Sequence, residues 1–167
     1  MIYKELLTKS NLEFPENKKL VQKLKKTNHR EVDKNFHQEH DQVFKKMDCL
    51  ACANCCKTTS PVFRDVDVKR ISKRLRVPVN QFIDSYLRID EDNEYVLKQS
   101  PCTFLDNENK CMIYEDRPLA CREYPHTNRK NMYQILDLTL INSQICPAVS
   151  KIFTQIIGSI YKINHCC

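Results

Sequence analysis

Between Asn17 and Lys46 the apolar residues Leu20, Leu24, Val32, Phe36 and Val43 recur at steps of four, eight, four and seven in a highly charged stretch without Pro or Gly. Those steps keep one face of a helix apolar, so the pattern predicts a solvated helix laying a single stripe on the rest of the protein. Residues 1–16 have mixed character and end near Pro15. Val68, Ile71 and Leu75 repeat the rhythm at i, i+3 and i+7. Asp65 or Asp67 can cap that helix, and Val77-Pro78 breaks it. A second short helix is expected with Val79, Phe82, Ile83, Tyr86 and Leu87 inward.

Extended pieces are expected at Val62-Phe63 and, after the acidic turn Glu91-Asp92-Asn93-Glu94, at Tyr95-Val96-Leu97. Around the turn Asp106-Asn107-Glu108-Asn109-Lys110, the flanks Cys102-Thr103-Phe104-Leu105 and Cys111-Met112-Ile113-Tyr114 predict an antiparallel hairpin that brings Cys102 and Cys111 together. Pro118 suits the first turn of a short helix bearing Cys121. Cys146-Pro147 opens a last helix with Val149, Ile152, Phe153, Ile156, Ile157 and Ile160 on its buried side. The expected fold is mostly α with a short β-hairpin, organised as an N-terminal charged helical extension (1–46) and a second domain (47–167).

Composition narrows this further. The chain has 167 residues, which suits one domain with an extension. It has one glycine, Gly158, and thirteen asparagines, so left-handed backbone positions are expected to fall to Asn or Asp. The first nine residues lack the apolar core of a signal peptide, and the stretch from Ile152 to Ile163 is too short to span a bilayer. A cytoplasmic location without a membrane partner is therefore expected, and there thiols stay reduced.

The chemistry lies in the cysteines. Cys49-Leu50-Ala51-Cys52-Ala53-Asn54-Cys55-Cys56 packs four thiols into eight residues. Packing alone does not generate that rhythm, whereas thiols at i and i+3 can reach one ion. On a helix Cys49, Cys52 and Cys56 would share a face, and Cys55 would point about 100° away from Cys56. The run is thus expected to be shared between neighbouring sites, each completed by the later cysteines. Thiolates are soft donors that favour zinc or iron–sulfur clusters over magnesium or calcium.

With Pro101-Cys102-x-Phe104-Leu105, Cys111-x-Ile113-Tyr114, Arg117-Pro118-x-x-Cys121-Arg122, Tyr124-Pro125 and Cys146-Pro147 added, the ordered pattern resembles the CxxCxxCC family of zinc- or iron-chelating domains, the YkgJ-like cysteine-cluster proteins. The resemblance covers roughly residues 47–150. It implies a small metal-stapled domain with Cys49, Cys52, Cys55, Cys56, Cys102, Cys111, Cys121 and Cys146 as ligands. Where many members place a glycine after the second cysteine, this chain has Ala53-Asn54, and Asn54 is expected to supply the left-handed turn.

Arg117 and Arg122 flank Cys121 and can offset thiolate charge; the alternative is surface salt bridges to Glu115, Asp116 or Glu123. His126 is an alternative ligand, and His37 and His40 read first as surface histidines. The terminal pair Cys166-Cys167 reads as adventitious thiols. The net charge of +6 counts every cysteine as neutral; eight thiolates on two zinc ions would leave +2, so charge alone does not make this a nucleic-acid binder. No Gly-rich phosphate loop, Ser/His/Asp set or carboxylate pair assigns a catalytic residue. The expected function is a cysteine-cluster protein chelating zinc or iron, the latter as a 4Fe–4S cluster, in metal handling or redox. The alternatives are an iron–sulfur oxidoreductase component, or a non-enzymatic zinc module whose basic helix binds RNA or a protein partner.

Overall fold

All five apolar residues of the charged N-terminal stretch are buried, but on two helices rather than one. The computed structural model describes the backbone of residues 2–163 and the side chains of residues 3–159, so Cys166, Cys167 and the Ile160 side chain lie outside the described residues. The chain runs through α1 (Ile2–Leu12), α2 (Phe14–Leu24), α3 (His29–Phe44), α4 (Cys49–Cys52), α5 (Asn54–Thr58), α6 (Asp65–Leu75) and α7 (Val79–Tyr86). Strands β1 (Leu87–Ile89) and β2 (Tyr95–Leu97) follow, then α8 (Leu119–Glu123), α9 (Leu136–Ser143) and α10 (Pro147–Ile163). Short 3-10 turns occupy Tyr114–Asp116 and Met132–Ile135. No helix among the described residues is long and apolar enough to cross a membrane.

The break between α2 and α3 comes from Asn28, whose side chain accepts a 3.0 Å hydrogen bond from the Arg30 amide and so starts a new helix. The step of eight between Leu24 and Val32 spans this break, and a step of eight also continues a helical stripe, which hid it. Pro15 does not end a leader; it sits in the first turn of α2, where its missing N–H costs nothing.

Two compact units emerge: the chain up to Asp48 together with the chain from Pro125 on, and Cys49–Tyr124. In the first, α10 packs against α1, α3 and α9, while α2 packs against α9. Val21, Val32, Phe36, Met132, Leu136, Ile152 and Phe153 form its core, with Phe36 and Phe153 edge to face at 5.9 Å. The expected boundary at 46/47 lies beside the Asp48–Cys49 junction. The segment after Pro125, expected with the cysteines, instead gives the N-terminal helices their apolar partner.

Within this unit α3 also works through polar side chains. Asp33 accepts from the Asn131 amide (2.9 Å) and the Met132 amide (2.7 Å), His37 Nε2 meets the Arg129 carbonyl at 2.8 Å, and His40 Nδ1 meets the Thr127 hydroxyl at 2.8 Å. His29 stacks on Tyr133 at 3.6 Å. These four residues fall on one helical face and fix the path of residues 127–133.

In the second unit the core is Phe63, Val68, Ile71, Phe82, Leu87, Leu97, Phe104 and Ile113. The two-stranded antiparallel hairpin is β1 with β2, in register Leu87↔Leu97, Arg88↔Val96 and Ile89↔Tyr95. Leu87, expected on a helix, therefore lies in a strand, and Val79, expected inward, is 37% exposed. The flanks of the 106–110 turn meet in one isolated bridge, Leu105↔Cys111, instead of a full hairpin. Of the six left-handed residues among the described ones, Asn93, Asn109 and Asn131 are asparagines; Ala53, Arg76 and His126 are the others.

Candidate metal centre

Four thiols from four separate segments of the Cys49–Tyr124 unit are brought into one neighbourhood. Cys56 rides on α5. Its carbonyl accepts from the Cys102 amide at 2.8 Å, and the Ser100 hydroxyl donates to the Lys57 carbonyl at 2.9 Å, so the cysteine run is stitched to the next cysteine. The 106–110 turn then returns the chain. Asp106 Oδ1 accepts from the Glu108 and Lys110 amides at 2.8 Å each, and the Met112 amide bonds the Phe104 carbonyl at 2.9 Å. Cys102 and Cys111 both pack on the same apolar cluster. The 3-10 turn and Pro118 lead into α8, which presents Cys121.

Electrostatics tie these four thiols together. Burial pushes Cys121 up to about 12, and the neighbouring Cys56, Cys102 and Cys111 add to the rise. Cys102 is raised by burial, then by Cys56 and Cys111; Cys111 is raised by burial, then by Cys56. Cys56 alone moves the other way, to about 7. The Cys55 thiol, 4.0 Å from it, is the chief cause, and Arg117 and Lys57 assist against the cost of burial. Crowded like groups share the penalty of ionising until something positive arrives.

Arg117 is the positive charge that three of these thiols share, easing ionisation at Cys56, Cys111 and Cys121. Its Nε donates to the Tyr114 carbonyl at 2.7 Å, and its guanidinium lies 3.5 Å over the Tyr114 ring. Arg122 Nε donates to the Arg117 carbonyl at 3.0 Å. Asp116, offered above as an alternative partner for these two, is paired with Arg70 (3.9 Å) and Arg74 (3.6 Å).

Sequence reasoning missed Asp67 as anything beyond a cap. Its carboxylate is fully buried and reaches both the start of α6 and the segment ahead of Cys121. Burial opposes its charge, but donors from Arg70, the Arg64 amide and the Leu119 amide prevail and hold it below the usual carboxylate range. A buried carboxylate with several donors is recognisable only once its partners are known, because they lie up to 52 residues away.

The other expected ligands are placed as follows. Cys49 and Cys52 lie on α4 and Cys55 on α5, in the same unit as the four thiols. The chain turns between Cys52 and Cys55 at Ala53, whose φ is 46°; Asn54, expected there, is already helical. Consecutive on one short helix, Cys55 and Cys56 still bring their sulfurs to 4.0 Å. That is close to the roughly 3.8 Å edge of a ZnS₄ tetrahedron with 2.3 Å bonds, so the pair is less divergent than helix geometry suggested. Cys146 belongs to the other unit and packs against its core. His37 and His40 hold the 127–129 loop, and His126 takes a left-handed turn.

Among the described residues no group of three or more His, Cys, Asp or Glu side chains already stands at ion-holding geometry. The donor set nevertheless fits a soft ion: thiols gathered from four segments, three of them partly buried and crowded enough to resist ionisation and one eased toward the thiolate, beside one arginine.

Residues 48–147 match the CxxCxxCC family, described as a "putative zinc- or iron-chelating domain". An uncharacterized protein of Methanocaldococcus jannaschii is 33% identical over 82 residues, which is 47% of this chain and 44% of that relative. The match thus spans less than half of the relative's length. No solved structure matches the chain.

Proposed function

The chain belongs to the CxxCxxCC family of metal-chelating domains, and from that premise we propose that Cys56, Cys102, Cys111 and Cys121 form one closed four-thiolate site for zinc. The observation carrying this is the convergence of four thiols from positions far apart in sequence: the Cys102 amide bonds the Cys56 carbonyl, Cys102 and Cys111 pack on one apolar cluster, and Cys56 lies near enough to raise the other three. Zinc, when bound, supplies a tetrahedral cross-link and leaves no coordination position open. The chain's residues do the rest. Cys56, already eased toward the thiolate, is the first donor, and Arg117 offsets part of the negative charge that four thiolates leave behind. The apolar cluster beneath Cys102 and Cys111 keeps water from one side.

A closed site of this kind serves metal handling or the fold itself, in a reducing cytoplasm where thiols remain available. Element analysis of protein isolated without oxygen tests the proposal. Zinc should be present, with one equivalent lost in Cys56→Ser and in Cys121→Ser and that equivalent kept in Cys49→Ser. Four irons with matching sulfide would overturn zinc in favour of an iron–sulfur redox role. Freshly isolated protein without metal would sink both readings.

A further inference from the structure

We propose that Asp67 and Arg70 are positioning residues for the metal centre, holding the segment that presents Cys121; the inference rests on the four-thiolate reading above. α8 is only five residues long, too short to hold itself by helix propagation, and the 114–124 segment belongs to no strand. Its path must come from outside contacts, and the buried Asp67 with the partly exposed Arg70 supplies them.

Asp67 Oδ2 accepts from the Arg64 amide at 3.2 Å and from Arg64 Nε at 3.5 Å. A helix cap would need no more than that amide. The other oxygen faces the centre's side: Oδ1 accepts from Arg70 Nη2 at 2.7 Å and from the Leu119 amide at 3.3 Å. Arg70 continues the grip. Its Nη2 donates to the Arg117 carbonyl (2.8 Å) and the Asp116 carbonyl (3.2 Å), and its Nε donates to the Asp116 carbonyl (3.4 Å). Main-chain groups at 116, 117 and 119 are therefore gripped by two side chains one helical turn apart on α6. Pro118 lies inside the gripped stretch, and its carbonyl accepts from the Cys121 amide at 3.0 Å. The same contacts place Arg117, whose charge eases three of the thiols. Arginine suits this work because its planar guanidinium holds several donors in a rigid fork, whereas a lysine offers its three donors from a single nitrogen on a flexible stem.

The test uses the full-length reduced protein and cobalt(II) as the probe, with affinity read by chelator competition and coordination by the absorption bands. Asp67→Asn keeps an acceptor for the Arg64 amide but turns a carboxamide NH2, itself a donor, toward the donors on the other side. Arg70→Lys keeps the charge and loses the fork. Both should bind cobalt at least tenfold more weakly, and alkylation of the loaded protein should single out Cys121 while Cys102 and Cys111 stay protected. Val32→Ala, in the other unit, should lower stability without either effect, which separates positioning from a general loss of structure. Wild-type affinity and Cys121 protection in both variants would overturn the inference, as would uniform exposure of all the thiols. If Asp67→Asn does not fold, Arg70→Lys decides alone by the same criteria. A wild-type protein that takes up no cobalt would instead refute the four-thiolate reading, and the positioning role with it.

Discussion

Filling the centre must expel protons, and the structure says how many and over what pH range. At pH 7 Cys56, at about 7, is half ionised, while Cys102, Cys111 and Cys121 are all held above the ordinary thiol value and are protonated. Binding one ion on four thiolates then releases about 3.5 protons at pH 7 and about three at pH 8. Each released proton is worth about 1.4 kcal/mol per pH unit, so affinity should tighten about a thousandfold between pH 7 and 8.

The more telling range is alkaline. Four ordinary thiols of pKa about 8.5 would have about 0.1 proton left between them at pH 10, and the pH dependence of binding would vanish. Cys121, pushed up to about 12, still carries its proton there. Release should therefore persist at about one proton or more at pH 10. Calorimetric zinc titration in buffers of different ionisation enthalpy counts these protons directly, and chelator competition gives the slope independently. Proton release that dies away by pH 10 would show that Cys121 is not held up by burial and its neighbouring thiols, and would refute the cluster.

Three further outcomes are expected. The metal-free protein should lose stability as pH rises past the unfolded thiol range near 8.5: raised folded pKa values favour folding below that range, and the benefit disappears as pH climbs through them. Urea melts between pH 8.5 and 10.5 check this, above the range where the lowered Cys56 acts in the opposite sense, and a rise in stability there would contradict it. Ala53→Gly should stabilise the protein by about 1 kcal/mol, since a left-handed alanine pays a Cβ penalty that glycine avoids; an unchanged or lower urea midpoint would count against the left-handed turn. Asp33→Ala should cost about 2 kcal/mol by leaving the Asn131 and Met132 amides without their charged acceptor. Amide exchange at those two positions should speed up, and full protection there would refute the cap.

What the sequence settled is what a short window can encode. The spacing of Cys49, Cys52, Cys55 and Cys56 marked soft-metal chemistry, because no packing demand produces it. The stripes through Leu20–Val43, Val68–Leu75 and Val149–Ile156 marked buried helical faces, because side-chain direction repeats every 3.6 residues whatever lies opposite. Tyr95–Leu97 was legible as a strand for the same local reason. Its partner was not, since Leu87–Ile89 also fits the end of a helix and only the Leu87↔Leu97 pairing decides between them.

Tertiary structure decided everything that needs a distant partner. Asn28 separates two helices that one periodic pattern had joined. The late helices α9 and α10 pack on the early ones because each carries an apolar face that the other must cover. Ala53 is driven left-handed because the run must turn between Cys52 and Cys55. His37 and His40, read in sequence as surface histidines, are engaged by a loop about ninety residues further on. Asp67 is the sharpest case: in sequence it is one acid at the start of a helix, and only folding surrounds it with the donors that hold it charged beside the segment carrying Cys121. Local periods are written in a few residues, but the partner of a buried charge is fixed by the whole chain's path.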